Sequence, residues 1–148
     1  MHQNGAKIIS VNISSKKGVR KTPVGRASVM VNHGIDGDAH VADWHRQISL
    51  LAQESIDKMI SMGLKVGPGD FAENLTTLGI DLLSLPIGTK LKVGGDIVLE
   101  VTQIGKECYN RCAIYRQAGD CVMPREGIFA RVIHGGEVNM GDTVAIEE

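Results

Sequence analysis

All cysteines of the chain, Cys108, Cys112 and Cys121, lie in one stretch, residues 104–127, which reads IGKECYNRCAIYRQAGDCVMPREG. A thiolate is both a nucleophile and a soft metal ligand, so this stretch could carry sulfur or bind a metal. Residues 108–120 contain no proline and place Cys112 four positions after Cys108. This spacing predicts a helix that begins at Cys108 and presents both thiols on one face.

The charged neighbours of Cys108 favour its ionised form. Lys106, Arg111 and Arg116 are close in sequence, whereas Glu107 opposes them. At a helix N-terminus, unpaired peptide N–H groups and the helix dipole also stabilise a thiolate. We therefore expect the pKa of Cys108 to be lowered and its sulfur to be partly exposed, as in a reactive or ligating cysteine.

Other roles for the three sulfurs stay open. Free cysteine is among the most buried residue types, so Cys121 is expected to pack, and Cys112 is either a core residue or a partner thiol. A structural zinc needs about four ligands, usually in pairs. Cys108 and Cys112 supply one pair, and a distant histidine would have to complete the site. A transient Cys108–Cys112 disulfide is feasible if the start of the helix frays.

A second polar group lies in HGIDGDAHVADWHRQISLL, residues 33–51. Asp36, Asp38, His40 and His45 are all possible metal ligands. His40 and His45 are five positions apart, however, which matches neither one face of a helix nor one face of a strand. A polar loop with hydrogen-bonded histidines is the alternative interpretation of this segment.

Strong phosphate-binding motifs are missing from the sequence. It contains neither G-x-x-x-x-G-K-[ST] nor G-x-G-x-x-G after a strand. A looser anion site could form from the backbone of Gly34 and Gly37 together with the basic side chains of Lys21, Arg26 and Arg46. No G-x-S-x-G nucleophile elbow occurs either.

Length and composition describe the domain that must position these groups. The chain has 148 residues, 43% of them hydrophobic, and a net charge of −1. With only 3% aromatic residues and no basic excess, it is not expected to bind nucleic acid or an anionic membrane. The odd number of cysteines and the absence of a signal-peptide pattern favour the reducing cytoplasm. We predict one domain over residues 1–148, with its core at about 8–146.

Most of the sequence consists of short β-like runs separated by glycine, as expected of a small barrel or folded sheet. Helical spacing of apolar residues predicts one helix at 52–63. The dipeptide Gly94-Gly95 predicts a hairpin, and Gly135-Gly136 and Gly141-Asp142 repeat that signal. The predicted fold is mainly β (β-rich α+β), with one or two short helices and strands at 6–14, 24–35, 46–51, 70–80, 89–95, 96–105, 127–138 and 141–148.

Four segments resemble, in order, the MOSC domain family, named for the molybdenum cofactor sulfurase C-terminal region. They read GIDGDAH, RQISLLAQESI, GDFAENLTTLGIDLLSLPIGTKLKVG and LEVTQIGKEC. The resemblance runs from about Ile8 to Ile146, so the chain looks like a stand-alone MOSC protein. It implies a β-rich barrel with short helices, similar to the barrel domain of pyruvate kinase.

The resemblance also implies a role for one thiol. MOSC proteins are thought to bind the molybdenum cofactor or to carry sulfur for it, and their characteristic cysteine follows the strand that here ends in VTQ. That position is Cys108, which makes it the predicted functional thiol and molybdenum ligand. Glu107 stands where the family usually has proline, and Cys112 is an added thiol. Because some relatives use the second thiol of such a pair, Cys112 stays a second predicted catalytic residue.

The cofactor implied by the resemblance is molybdopterin, whose phosphate requires an anion site. Pyridoxal phosphate enters only as an association of the family. We expect Lys21, Arg46 and the backbone at Gly37 to contact the phosphate, and His40 and Asn74 to contact the pterin. The predicted cofactor-binding residues are therefore Lys21, Gly37, His40, Arg46, Asn74 and Arg111.

Three functions remain open on these grounds. The first is a module that binds molybdenum cofactor or carries sulfur for it, with cofactor-biosynthesis or sulfur-donor proteins as partners. The second is a molybdenum-dependent reductase of N-hydroxylated compounds, served by a separate reductase as electron donor. The third is a non-catalytic thiol or zinc-binding module. An enzyme of this kind would be a cofactor-dependent reductase or a sulfur transferase.

Overall fold

The computed structural model describes residues 6–16, 19–39, 41–105 and 126–147. These residues are mainly β, which confirms the predicted fold class. They contain one α-helix, α1 (Gln53–Ser61), and a 3-10 turn at Leu82–Ser84. The strands are β1 (Lys7–Ile13), β2 (Thr22–Pro23), β3 (Arg26–Met30), β4 (Gly34–Ile35), β5 (Ile48–Ala52), β6 (Leu75–Leu78), β7 (Lys90–Val93), β8 (Ile97–Ile104), β9 (Ile128–His134), β10 (Gly136–Asn139) and β11 (Val144–Glu147).

The larger sheet has eight strands in the order β11-β7-β8-β9-β5-β6-β1-β2. Its β5–β6 pair is parallel, with α1 in the connection between the two strands, and its other pairs are antiparallel. A parallel pair requires such a crossover, which is why the predicted strand at 46–51 runs directly into a helix. β8 and β9 lie side by side near the middle of this sheet and carry the site described below.

The larger sheet is not a closed barrel over the described residues. The two sides of the sheet nevertheless come close together, because a single bridge joins Lys7 of β1 to Thr143 just before β11. The peptide N–H of Ile8 donates to the carbonyl of Asp142 at 2.8 Å, and that of Gly141 donates to the carbonyl of Ile8 at 2.6 Å. These bonds cover part of an edge that would otherwise expose unpaired peptide groups.

The predicted glycine hairpin at Gly94-Gly95 is confirmed, because this turn joins two strands that pair with each other. β7 and β8 are antiparallel, and Gly94 has a φ of 62°. The hairpin predicted at Gly135-Gly136 is wrong, because β9 pairs with β5 and β8 whereas β10 pairs with β3 in a separate sheet of order β10-β3-β4. A Cβ at Gly135 would lie 2.5 Å from the carbonyl oxygen of Val29, so this glycine permits a close chain approach. The hairpin at Gly141-Asp142 is also wrong, since β11 pairs with β7.

Successive residues of β5 face two different cores, as the pleat of a strand requires. Leu50 belongs to the main core, which includes side chains of both sheets such as Ile8 and Val138. The next residue, Leu51, packs in a second cluster beneath α1, with Ile56, Met59, Phe71 and Phe129. Among the described residues, no helix combines the length and the apolar character needed to cross a membrane.

Candidate functional site

The predicted thiols Cys108 and Cys112 lie outside the described residues, as do His40 and Arg111. The described chain stops at Gly105, just after β8, and resumes at Glu126, just before β9. These two points are neighbours, because the peptide N–H of Gly105 donates to the carbonyl of Gly127 at 2.7 Å. The segment that holds the cysteines therefore leaves and rejoins the sheet at one place.

Gln103, near the end of β8, is the centre of a polar cluster at that place. Its Oε1 accepts a hydrogen bond from Nε of Arg46 at 2.9 Å and lies 3.2 Å from Nε2 of His45. Its Nε2 donates to the carbonyl of Gly105 at 2.7 Å. We call Gln103, Arg46 and His45 the Gln103 cluster. It connects the loop before β5 to the last described residue ahead of the cysteines.

Two further contacts hold this loop against β8 and β9. The hydroxyl of Thr102 on β8 donates to the carbonyl of His45 and lies 3.2 Å from the carbonyl of Phe129 on β9. The guanidinium of Arg46 lies 5.2 Å from the centre of the Phe129 ring, within the range of a cation–π contact. Phe129 also packs beneath α1, so the apolar cluster around that helix supports the cation.

A cavity of about 500 Å³ opens beside the Gln103 cluster. His45 lines it, and the Trp44 ring meets the His45 ring edge-on at 5.6 Å. Glu100 and Arg131 also line it and form an ion pair of 2.6 Å between neighbouring strands. The wall therefore combines aromatic surface with both signs of charge, as small-molecule sites commonly do.

The carboxylate of Glu126 anchors the point at which the described chain resumes. Ser55 Oγ donates to its Oε1 at 2.7 Å, and the ammonium of Lys58 contacts its Oε2. Both partners belong to α1. The two ends of the cysteine segment are thus attached to different supports, the Gln103 cluster at one end and α1 at the other.

Lys21 lies in the interior, not on the surface of the site. Its ammonium pairs with Asp38 at 2.7 Å, and both side chains are 0% exposed. The same Asp38 oxygen accepts the peptide N–H of Ser14 at 3.0 Å. The pair therefore holds the loop that contains Gly37, whose φ is +90°, against the end of β1. Arg46 lies in the separate group of contacts around Gln103.

Asn74 is also fully buried, where it joins strands through its amide. Its Oδ1 accepts the peptide N–H of Ser49 on β5 at 3.0 Å, and its Nδ2 donates to the carbonyl of Asn12 on β1 at 3.2 Å. The predicted cofactor residues thus include two, Lys21 and Asn74, whose polar atoms serve internal contacts. Their contact with a cofactor stays a prediction.

Glu73, next to Asn74, is a buried carboxyl group that the sequence did not single out. Its Oε2 accepts a hydrogen bond from the hydroxyl of Thr76 at 2.7 Å. Burial raises the pKa of Glu73 from the ordinary 4.5 to about 7, and hydrogen bonds from the Gly69 peptide and from Thr76 oppose that rise only in part. A buried carboxyl with a pKa of about 7 changes its protonation state near neutrality.

The described residues contain no group of three or more His, Cys, Asp or Glu side chains that could hold a metal ion. The predicted metal ligand, Cys108, lies outside them and stays a prediction. Gln103 and Trp44 were missed by reasoning from the sequence. The signal for Gln103 was its place in VTQ, which a single residue separates from GKEC, but a lone glutamine carries no chemistry that a pattern can identify.

Comparisons with known proteins agree with this fold. The YuaD protein from Bacillus subtilis has a crystal structure similar to this chain at a TM-score of 0.79 and 20% identity, over 95% of this chain and 94% of that one. YiiM from Geobacillus stearothermophilus is similar at a TM-score of 0.73 and 22% identity, over 97% and 75%. YiiM from Escherichia coli is similar at a TM-score of 0.70 and 19% identity, over 100% and 70%.

These structures show the fold alone, since each shares less than a quarter of its residues with this chain. No curated protein sequence matches the chain. The family model of the MOSC domain, however, matches residues 32–145, which include the Gln103 cluster and the cysteine segment. The chain therefore belongs to the MOSC domain family.

Proposed function

We propose that this protein binds the molybdenum cofactor, or carries sulfur for it, through the thiolate of Cys108. The observation that supports this best is the run of hydrogen bonds from Arg46 through Gln103 to Gly105. It places a supported cation at the strand end from which the cysteine segment leaves. Family membership makes the molybdenum cofactor the first ligand to test.

Arg46 fits the anionic part of the cofactor. Its Nε is bound by Gln103 and its plane is supported by Phe129, while no other hydrogen bond of its side chain is found within the described ranges. The two terminal amino groups can therefore serve an anion. A guanidinium binds phosphate through paired N–H groups with defined geometry, so Arg46 would hold the pterin phosphate.

The thiol chemistry rests on chain connectivity. Cys108 is three residues beyond Gly105. Three residues span at most about 11 Å, so the length of the chain permits Cys108 to approach the Gln103 cluster. A thiolate is a soft ligand suited to molybdenum, and the bound cofactor would supply the redox chemistry of the site. Cys112 is the alternative thiol or the resolving partner.

The sulfur-carrier form needs a donor protein that bears a persulfide. The thiolate of Cys108 would attack the terminal sulfur of that persulfide, so that a new S–S bond forms and the donor leaves as a thiolate. The partners are therefore sulfur-donor or cofactor-biosynthesis proteins in the reducing cytoplasm. No electron donor is required for this transfer, because the sulfane sulfur keeps its oxidation state.

Lys21, Gly37, His40, Asn74 and Arg111 complete the proposed cofactor site. Lys21 would act mainly through Asp38, whose loop also contains Gly37 and leads into His40. Asn74 would act through the strands that it joins. These roles are weaker than that of Arg46, because the polar atoms of both buried residues already have internal partners.

The test is metal and pterin analysis of protein purified from a host that makes molybdenum cofactor. We expect the wild type to carry molybdenum and pterin, Cys108→Ser to lose the metal, and Arg46→Gln to bind the pterin about tenfold more weakly, as loss of a charge-assisted hydrogen bond implies. Lys92→Gln, which removes an exposed cation of β7, is the control and should keep both.

The carrier form is tested in parallel. Incubation with a cysteine desulfurase and cysteine should add about 32 Da, one sulfur atom, to the peptide that contains Cys108. A wild type with neither molybdenum nor this adduct would contradict the proposal. A stoichiometric zinc that depends on Cys112 would favour the zinc-binding module instead.

A further inference from the structure

We infer that Gln103 is the positioning residue of this site, because its amide oxygen both orients Arg46 for an anion of the phosphate class and keeps a proton on Nε2 of His45. His45 then has Nδ1 as the atom that accepts a proton from a molecule in the adjoining cavity. The part that concerns Arg46 rests on the proposed function. The part that concerns His45 does not depend on the cofactor or on the cysteines.

The orientation of the Gln103 amide is set by two partners that have only one hydrogen-bonding role each. Nε of Arg46 can only donate, so the Gln103 atom 2.9 Å away is the oxygen. The carbonyl of Gly105 can only accept, so the Gln103 atom 2.7 Å away is the nitrogen. The contacts with Arg46 and with Gly105 give the same assignment of the amide oxygen and nitrogen, so together they exclude a flipped amide.

This orientation decides the tautomer of His45. Its Nε2 lies 3.2 Å from the same amide oxygen, which has no hydrogen to offer. A hydrogen bond between them exists only if Nε2 carries the hydrogen. In the neutral imidazole the other nitrogen, Nδ1, then has the free electron pair. A flipped amide would lose the hydrogen bonds of Gln103 with Arg46 and Gly105. The Nδ1–H tautomer of His45 would lose the hydrogen bond between His45 and Gln103.

His45 is also placed where a proton acceptor could act. It lines the cavity of about 500 Å³, and the Trp44 ring contacts its ring edge-on. Its backbone carbonyl accepts a hydrogen bond from Thr102, which fixes the main chain at this position. The charged groups that share this cavity are Asp43, Glu100 and Arg131. A molecule bound there would give its proton to Nδ1 and keep the electron pair of the bond that breaks.

The inference is tested first by nitrogen-15 NMR of the histidine rings. The wild type should show His45 as the Nε2–H tautomer, and its signal is identified by its loss in His45→Gln. The Arg46 Nε–H signal should exchange slowly with water. Gln103→Met keeps the length of the side chain but removes both the oxygen and the nitrogen of the amide. In this variant His45 should become a mixture of tautomers, and the Arg46 Nε–H signal should exchange faster with water.

A second variant separates positioning from a general structural role. Gln103→Glu keeps an acceptor for Arg46 and His45, so the Nε2–H tautomer should survive. Its negative charge should nevertheless weaken binding of inorganic phosphate by about tenfold or more relative to the wild type, because the carboxylate opposes an anion at Arg46. Gln53→Met is the control matched to Gln103→Met, because the Gln53 amide binds Asp57 on the exposed face of α1, away from the Gln103 cluster.

The outcomes distinguish this inference from the proposed function. A wild type that contains molybdenum but holds His45 as the Nδ1–H tautomer would overturn the inference and leave the function standing. A wild type with the expected His45 tautomer but with neither molybdenum nor a persulfide would overturn the proposed function and leave the inference about His45 standing. Equal phosphate binding by Gln103→Glu and the wild type would overturn the role of Gln103 at Arg46, whether or not Gln103→Met folds.

Discussion

Glu73→Gln tests the consequence of burying an ionisable carboxyl in the fold. Burial raises the pKa of Glu73 from 4.5 to about 7, so the folded state holds this proton more firmly than the unfolded chain does. The resulting stability is fully present below pH 4.5 and is lost as the pH rises through about 7. The interval of roughly 2.5 pH units, at about 1.4 kcal/mol each, corresponds to a loss of about 3 kcal/mol.

Glutamine keeps a carbonyl that can accept the hydrogen bond of Thr76 but cannot ionise. We therefore expect Glu73→Gln to be about as stable as the wild type near pH 4.5 and about 3 kcal/mol more stable above pH 7. The measurement is urea unfolding of both proteins from pH 4.5 to pH 8, because urea adds no ionic strength. Other titrating groups cancel in the difference between the two curves.

Glu137→Gln is the matched control, since it removes an exposed carboxyl of β10 instead of a buried one. It separates the effect of burial from the effect of net charge. A difference between wild type and Glu73→Gln that stays constant from pH 4.5 to pH 8 would refute the reasoning. So would a variant that is less stable than the wild type at pH 8.

Two further predictions concern the loop around Lys21. Lys21→Met should lower the free energy of unfolding by about 3–5 kcal/mol, because it removes the buried cation that pairs with the buried Asp38. The double variant Lys21→Met with Asp38→Leu should recover part of that loss, and urea unfolding measures both. A double variant as unstable as the sum of both single variants would contradict this. Gly69→Ala should cost about 1–3 kcal/mol more than Gly25→Ala. Both glycines have positive φ, +87° at Gly69 and +78° at Gly25. A Cβ at Gly69 would lie 2.3 Å from the carbonyl oxygen of Lys21, whereas a Cβ at Gly25 would have no neighbour within 4 Å. Equal decreases in melting temperature for the two variants would refute the clash.

Local signals in the sequence predicted the elements of this fold well. The helix predicted at 52–63 occupies Gln53–Ser61, and the strand predicted at 96–105 occupies Ile97–Ile104. These succeed because the period of apolar residues is a property of neighbouring positions. The strand predicted at 70–80 is shortened to Leu75–Leu78, since the residues before it form turns.

The pairing of strands was less predictable. Gly135 and Gly136 have the composition of a hairpin turn, yet they carry the chain from one sheet to the other. The reason is a contact with Val29, more than a hundred residues away, that no local pattern contains. Over the described residues the predicted barrel is likewise an open sheet, in which a single bridge joins Lys7 of β1 to Thr143 before β11.

The sequence alone determined the family, since it carries the segments of the MOSC domain, and it led to the prediction of thiol chemistry at Cys108. It also named Arg46 from its charge. Only the tertiary structure decided that Gln103 holds Arg46 and His45, and that Glu73 is a carboxyl without solvent. The physical reason is distance along the chain. Hydrogen bonds across 57 and 58 residues, and desolvation by whole strands, arise only when remote segments pack together.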